Sequence, residues 1–68
     1  MTNQEKEDIV RHSLPTSLLI SKVGNGLKGK ELRKKLNQYK AFNYNEWDGS
    51  GYVHKSVYKY RGFYYFSF

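Results

Sequence analysis

Seven cations stand within residues 22–40 of this chain: Lys22, Lys28, Lys30, Arg33, Lys34, Lys35 and Lys40, with Glu31 the sole acid among them. The formal net charge of the whole chain is +6, and this segment accounts for all of it, because residues 1–21 contribute −1 and residues 41–68 contribute +1. Fixed positive charge gathered in one place points to a polyanion as partner. Such groups bind a phosphate backbone by displacing its counterions and need no contact with a base. The plain alternative is a lysine-rich helix face that is simply solvated.

Three further groups of residues could carry chemistry. Gly24-Asn25-Gly26-Leu27-Lys28-Gly29-Lys30-Glu31 matches GxGxxG, and it matches a phosphate-binding GxxxxGK loop up to its last position. There Glu31 replaces the hydroxyl residue that would hold magnesium, and no βαβ unit surrounds the loop, so a plain Gly-rich turn is expected. Free amides at a helix start, with Lys28 and Lys30, could still hold one backbone phosphate. His54 should face Asn45 across the first hairpin, with Glu46 and Asp48 near by, and a histidine with a carboxylate can do acid–base chemistry. No second ligand or catalytic partner stands at useful spacing, so no catalytic residue and no metal site is assigned, and an RNA-cleaving activity is the remote alternative. The last group is aromatic: eleven of the twelve Phe, Tyr and Trp residues fall in 42–68. Buried tyrosine hydroxyls need partners, so a hairpin this rich in tyrosine suggests a face that stacks bases or meets a protein.

The elements that must position these groups follow from period and punctuation. Thr2-Asn3-Gln4-Glu5 reads as a capping box opening a helix over about 3–12, whose apolar face is only Ile9 and Val10 and which is therefore prone to fray. Pro15 restarts the chain, and Leu14, Leu18, Leu19 and Val23 lie at helical spacing before Gly24, giving a second helix over 15–23; a short strand, Leu18–Val23, is the alternative. A third helix over 28–40 is anchored by Leu32, Leu36 and Tyr39 and is cationic almost everywhere else. Three strands follow, at 42–47, 52–60 and 63–68, joined by Asp48-Gly49-Ser50-Gly51 and Arg61-Gly62. The two-residue loop sets Tyr60 opposite Phe63, Tyr58 opposite Tyr65, Lys59 opposite Tyr64 and Val57 opposite Phe66. The same register extends to Ser56 with Ser67 and Lys55 with Phe68.

Composition narrows the class. Sixty-eight residues suit one small domain, 1–68, with a marginal core. There is no cysteine, so no disulfide can brace it. No apolar run approaches the roughly 20 residues that span a bilayer, and the N-terminus is polar. The expectation is a cytoplasmic protein with no membrane partner, no cofactor and no small-molecule substrate.

The order of two short helices, a Gly turn, a basic helix and a terminal hairpin resembles a winged helix-turn-helix domain. In that resemblance 15–23 is the first helix of the motif, 28–40 the recognition helix and 52–68 the wing. From Gly29-Lys30-Glu31-Leu32 onward, a helix and three strands with His54 on the middle one resemble the small mRNA-cleaving toxins of the double-stranded-RNA-binding fold. Their Gly-Ser-His is here Gly49-Ser50-Gly51, and their final helix has no counterpart.

The combined expectation is an α+β chain whose helices cover one face of a three-stranded antiparallel meander. Val57, Phe66, Leu32 and Leu36 form its core, and Tyr58, Tyr60, Phe63 and Tyr65 look outward as a protein interface along an open last strand. Its function is non-catalytic nucleic-acid binding, to DNA before RNA, through Lys28, Lys30, Arg33, Lys34, Lys35, Lys40, Lys55, Lys59 and Arg61. The alternative is a small module or inhibitor whose aromatic face docks on a second copy or a larger protein.

Overall fold

The computed structural model describes residues 1–67. Along them run α1 (Asn3–Arg11), β1 (Leu14–Pro15), α2 (Thr16–Val23), α3 (Gly29–Asn37), β2 (Lys40–Trp47), β3 (Tyr52–Tyr60) and β4 (Phe63–Phe66). The strands make one mixed sheet in the order β1-β4-β3-β2, with β1 parallel to β4 and the other pairs antiparallel. The class is α+β.

Several elements form for the reasons legible in the sequence. Thr2 caps α1: Glu5 N donates to Thr2 Oγ1 at 3.2 Å and Thr2 N donates to Glu5 Oε1 at 3.3 Å. Arg61 and Gly62 both take positive φ, 50° and 85°, as a two-residue hairpin turn of the primed type demands. That turn places Tyr60 with Phe63, Tyr58 with Tyr65, Lys59 with Tyr64 and Val57 with Phe66, the expected register. In the first hairpin Asn45 lies opposite His54. The pairing of Ser56 with Ser67 does not form, since β4 ends at Phe66. The expected pair of Lys55 with Phe68 lies outside the described residues.

The three-stranded antiparallel meander is corrected to four strands, and the winged-helix layout does not emerge as expected. Leu14 is the cause. A residue before proline is pushed out of the helical region into extended backbone, so Leu14 leaves the helix and pairs with Tyr65. Pro15 becomes the extended residue before α2, at φ −61° and ψ 140°. The last strand is therefore no open edge. The helix expected over 28–40 also ends early: Lys59 N donates to the Tyr39 carbonyl at 2.8 Å, and Lys40 already belongs to β2.

The helices divide between the two faces of the sheet. Val10 of α1 packs with Val57 and Phe66, bordered by Ile9, Phe42, Tyr44 and Tyr64. Leu19 of α2 and Leu36 of α3 pack with Tyr65 on the opposite face, bordered by Leu32, Tyr58 and Tyr60. Val57 and Phe66 are core as expected, but they meet α1, while Leu32 and Leu36 of the basic helix pack on the opposite face. Two apolar residues hold α1 in place because the surface they meet, Val57 and Phe66, is itself wholly buried.

Gly24 joins α2 to α3, and its role is close approach rather than backbone freedom. Its φ is −114°, open to any residue, but a Cβ there would run into Leu32 Cδ1 and sit 3.3 Å from the Ile20 carbonyl oxygen. Gly24→Ala is expected to cost about 1 kcal/mol, with the Leu32 tip yielding, and to lower the melting temperature by roughly 4–8 °C. Thermal unfolding followed by circular dichroism measures this.

Asp48 organises the tip of the first hairpin. Its Oδ1 accepts from Ser50 N at 2.9 Å, Gly51 N at 3.0 Å and Ser50 Oγ at 3.1 Å. These bonds, the Ser50 amide first, hold the carboxyl below its usual range, as the Thr2 amide does for Glu5. A depressed carboxyl pKa contributes stability above the unfolded value and loses it as pH falls through the folded one. On acidification below the usual carboxylate range, the Ser50 and Gly51 amide resonances are expected to titrate together as the turn loosens, which NMR follows directly.

Candidate nucleic-acid interface

The two-face arrangement sorts charge. On the α1 side, Lys6, Arg11, Lys55 and Lys59 stand with Glu5, Glu7, Asp8 and Glu46, an even balance. The α2–α3 layer and the start of β2 hold Lys22, Lys28, Lys30, Arg33, Lys34, Lys35 and Lys40 against Glu31 alone. Among the described residues the ion pairs are Arg11–Glu7 at 2.6 Å and Lys55–Glu46 at 3.2 Å, neither in the cationic layer.

The anchoring residues of α3 determine how it presents these cations. Leu36 is buried against Tyr65 and Leu32 half-buried beside it. Lys30, Arg33, Lys34 and Lys40 are exposed, while Lys35 is half-buried. Lys28 precedes the helix in extended backbone and provides no side-chain cap, so its first amides have no side-chain acceptor. Beyond the helix, Tyr39 packs edge-on against Tyr60 with centroids 5.2 Å apart.

Not every expected site residue joins this surface. Lys55 and Lys59 lie on the opposite face, where alternation along β3 puts them beside Val57. The Lys55 ammonium donates to the Ser67 carbonyl at 3.0 Å and lies 5.4 Å from the Phe66 ring centroid. Glu46 Oε2, shielded from solvent, has that ammonium at ion-pair distance without hydrogen-bond geometry. Lys59 lies 5.2 Å over Tyr64. Both cations cover rings on the α1 side and are separated from α3 by the sheet.

The outward aromatic face also needs correction. Tyr65 is 0% exposed and Tyr58 and Tyr60 are half-buried, because α2 and α3 cover them; Phe63 alone of the four is exposed, at 60%. The Tyr65 hydroxyl finds its partner within the chain, accepting from Lys22 Nζ at 3.2 Å. Sequence alone does not mark Lys22 as a site residue, because its partner lies on a distant strand. Together with Tyr60, Arg61, Phe63 and Tyr65 it lines an open cavity of about 400 Å³.

His54 is exposed, but Glu46 points to the other face and Asp48 is occupied by its turn, so no histidine–carboxylate pair forms. Among the described residues no helix is long and apolar enough to cross a membrane. Comparison of the chain with protein families, curated proteins and solved structures finds no match in any of the three.

Proposed function

We propose that this protein binds nucleic acid without acting on it chemically, holding backbone phosphates on the α2–α3 side. The single observation that supports this is the segregation of charge: an unpaired cationic layer on one side of the sheet and a balanced one on the other. A lysine-rich face that served only for solubility would carry interspersed acids. The binding residues are Lys28, Lys30, Arg33, Lys34, Lys35 and Lys40, with Arg61 at the neighbouring turn. DNA is placed before RNA because α2 and α3 follow one another across a short turn and the β3–β4 hairpin comes later in the chain, an order that resembles a winged-helix domain. Action in the cytoplasm is part of the same reading.

The test is DNA affinity as a function of salt. The logarithm of the association constant should fall linearly with the logarithm of salt concentration, by about 0.9 for each phosphate neutralised. Affinity that ignores salt would remove the phosphate role of α3.

A second reading has its own observation. Trp47 and Tyr52, 59% and 69% exposed, contact each other edge-on at the tip of the first hairpin, beside Asp48. Such a tip suits a protein partner better than a phosphate backbone. Capture of a partner that survives nuclease treatment and is lost on Trp47→Ala would favour that reading.

A further inference from the structure

Between the last turn of α2 and the β3–β4 turn lies the cavity lined by Lys22, Tyr60, Arg61, Phe63 and Tyr65. Its lining contains two cations, three aromatic rings and no carboxylate. The cations are held in place by the rings. Lys22 Nζ is 3.2 Å from the Tyr65 hydroxyl and 5.7 Å from that ring's centroid, while the Arg61 guanidinium lies 5.2 Å over Tyr60. Each cation keeps donors beyond these contacts, because an ammonium has three and a guanidinium five. The Phe63 ring is 60% exposed at the mouth. Tyr60 also touches Tyr39, immediately beyond α3, so the cavity adjoins the cationic layer.

We infer that this cavity receives one unpaired nucleotide of a nucleic-acid strand, its base stacked on Phe63 and its phosphate between Lys22 and Arg61. The inference rests on the nucleic-acid reading above and adds to it the state of the strand. Phosphate contacts along α3 carry no demand that bases be open, whereas stacking of a base on Phe63 does. A base inside a duplex hides its face in the stack, and only an unpaired one can offer that face to a phenyl ring. The size is suitable for so small a group, being at the lower end of ligand sites, which span roughly 300–1,000 Å³. Charge separates this site from the cavity lined in part by Lys6, Glu7 and Tyr52, whose lining holds a glutamate as well as a lysine, and from the Trp47–Tyr52 pair, which lies beside Asp48.

The test compares a short oligodeoxythymidine with the same strand in duplex with oligodeoxyadenosine, by fluorescence anisotropy of the labelled strand. The wild-type chain is expected to prefer the single strand. Phe63→Ala, a change at an exposed position, should weaken single-strand binding roughly tenfold and leave duplex binding as it was. In the double variant Phe63→Trp, Trp47→Phe the one indole sits at the cavity mouth, and the single strand should quench its fluorescence. Duplex binding through α3 with no single-strand preference, or no effect of Phe63→Ala, would overturn the inference and leave the nucleic-acid reading intact. Binding to neither form would remove both. Quenching of Trp47 in the wild-type chain, with none in the double variant, would overturn the cavity assignment.

Discussion

Changing Lys30, Arg33 and Lys34 together to alanine will lower DNA affinity roughly a hundredfold at moderate salt, about 1 kcal/mol for each charge removed, and by the same factor for every DNA sequence. The salt dependence should flatten at the same time, by about one unit for each lost phosphate contact. All three side chains are exposed on α3, whose hold on the sheet comes from Leu32 and Leu36, so the fold should survive. Alanine is the best helix former, which favours retention of α3. The matching control removes cations from the other face: Lys6→Ala with Lys59→Ala should leave affinity nearly unchanged, since these ammonium groups lie over Phe42 and Tyr64 on the α1 side. Losses in proportion to the charge removed, three against two, would mean that net charge alone matters and that its distribution has no role.

The second large effect is on stability. Val57 is 0% exposed, opposite Phe66 and in the cluster that holds α1. Val57→Asp would place a carboxyl there without a designed partner, a change costing on the order of 4–5 kcal/mol. By the usual scale a chain of this length has about 3–10 kcal/mol in all. Val57→Asp is therefore expected to leave the protein largely unfolded at physiological temperature, with α1 released first. Val53→Lys puts a charge on the same face of the same strand where the side chain is 39% exposed and opposite Glu46, and it should change stability by less than about 0.5 kcal/mol. Circular dichroism melts of the two variants separate burial from composition. An unchanged melt for Val57→Asp would contradict the packing of α1 on the sheet.

How much of this fold is legible in the sequence depends on whether the signal is local. The capping box at Thr2 and Glu5, the register set by Arg61-Gly62 and the strand Tyr52–Tyr60 rest on neighbours in the chain, and the structure has them as expected. The strand at Leu14 was also local, since Pro15 disfavours helix at the residue before it. The helical spacing of Leu14 and Leu18 competes with that signal. The choice of face was not local. Val53, Val57 and Phe66 mark a face suited to a helix, and a helix covers Val57 and Phe66, but it is α1 with its two apolar residues and not α3. Tyr65 is buried despite its hydroxyl, which accepts from Lys22, forty-three positions away. The basic segment itself could be read as it stands, being a matter of composition. That Lys55 and Lys59 lie across the sheet from it follows only from which helix covers which face.

The most direct measurement is an amide chemical-shift map of the protein titrated with a short DNA at low salt. Perturbations should centre on Gly29–Asn37, Lys40 and the Arg61-Gly62 turn, leave Asn3–Arg11 in place, and fade as salt is raised. Perturbations centred on α1 or on the Trp47–Tyr52 tip, or a spectrum unmoved by DNA at low salt, would contradict a nucleic-acid interface on the cationic side of the sheet.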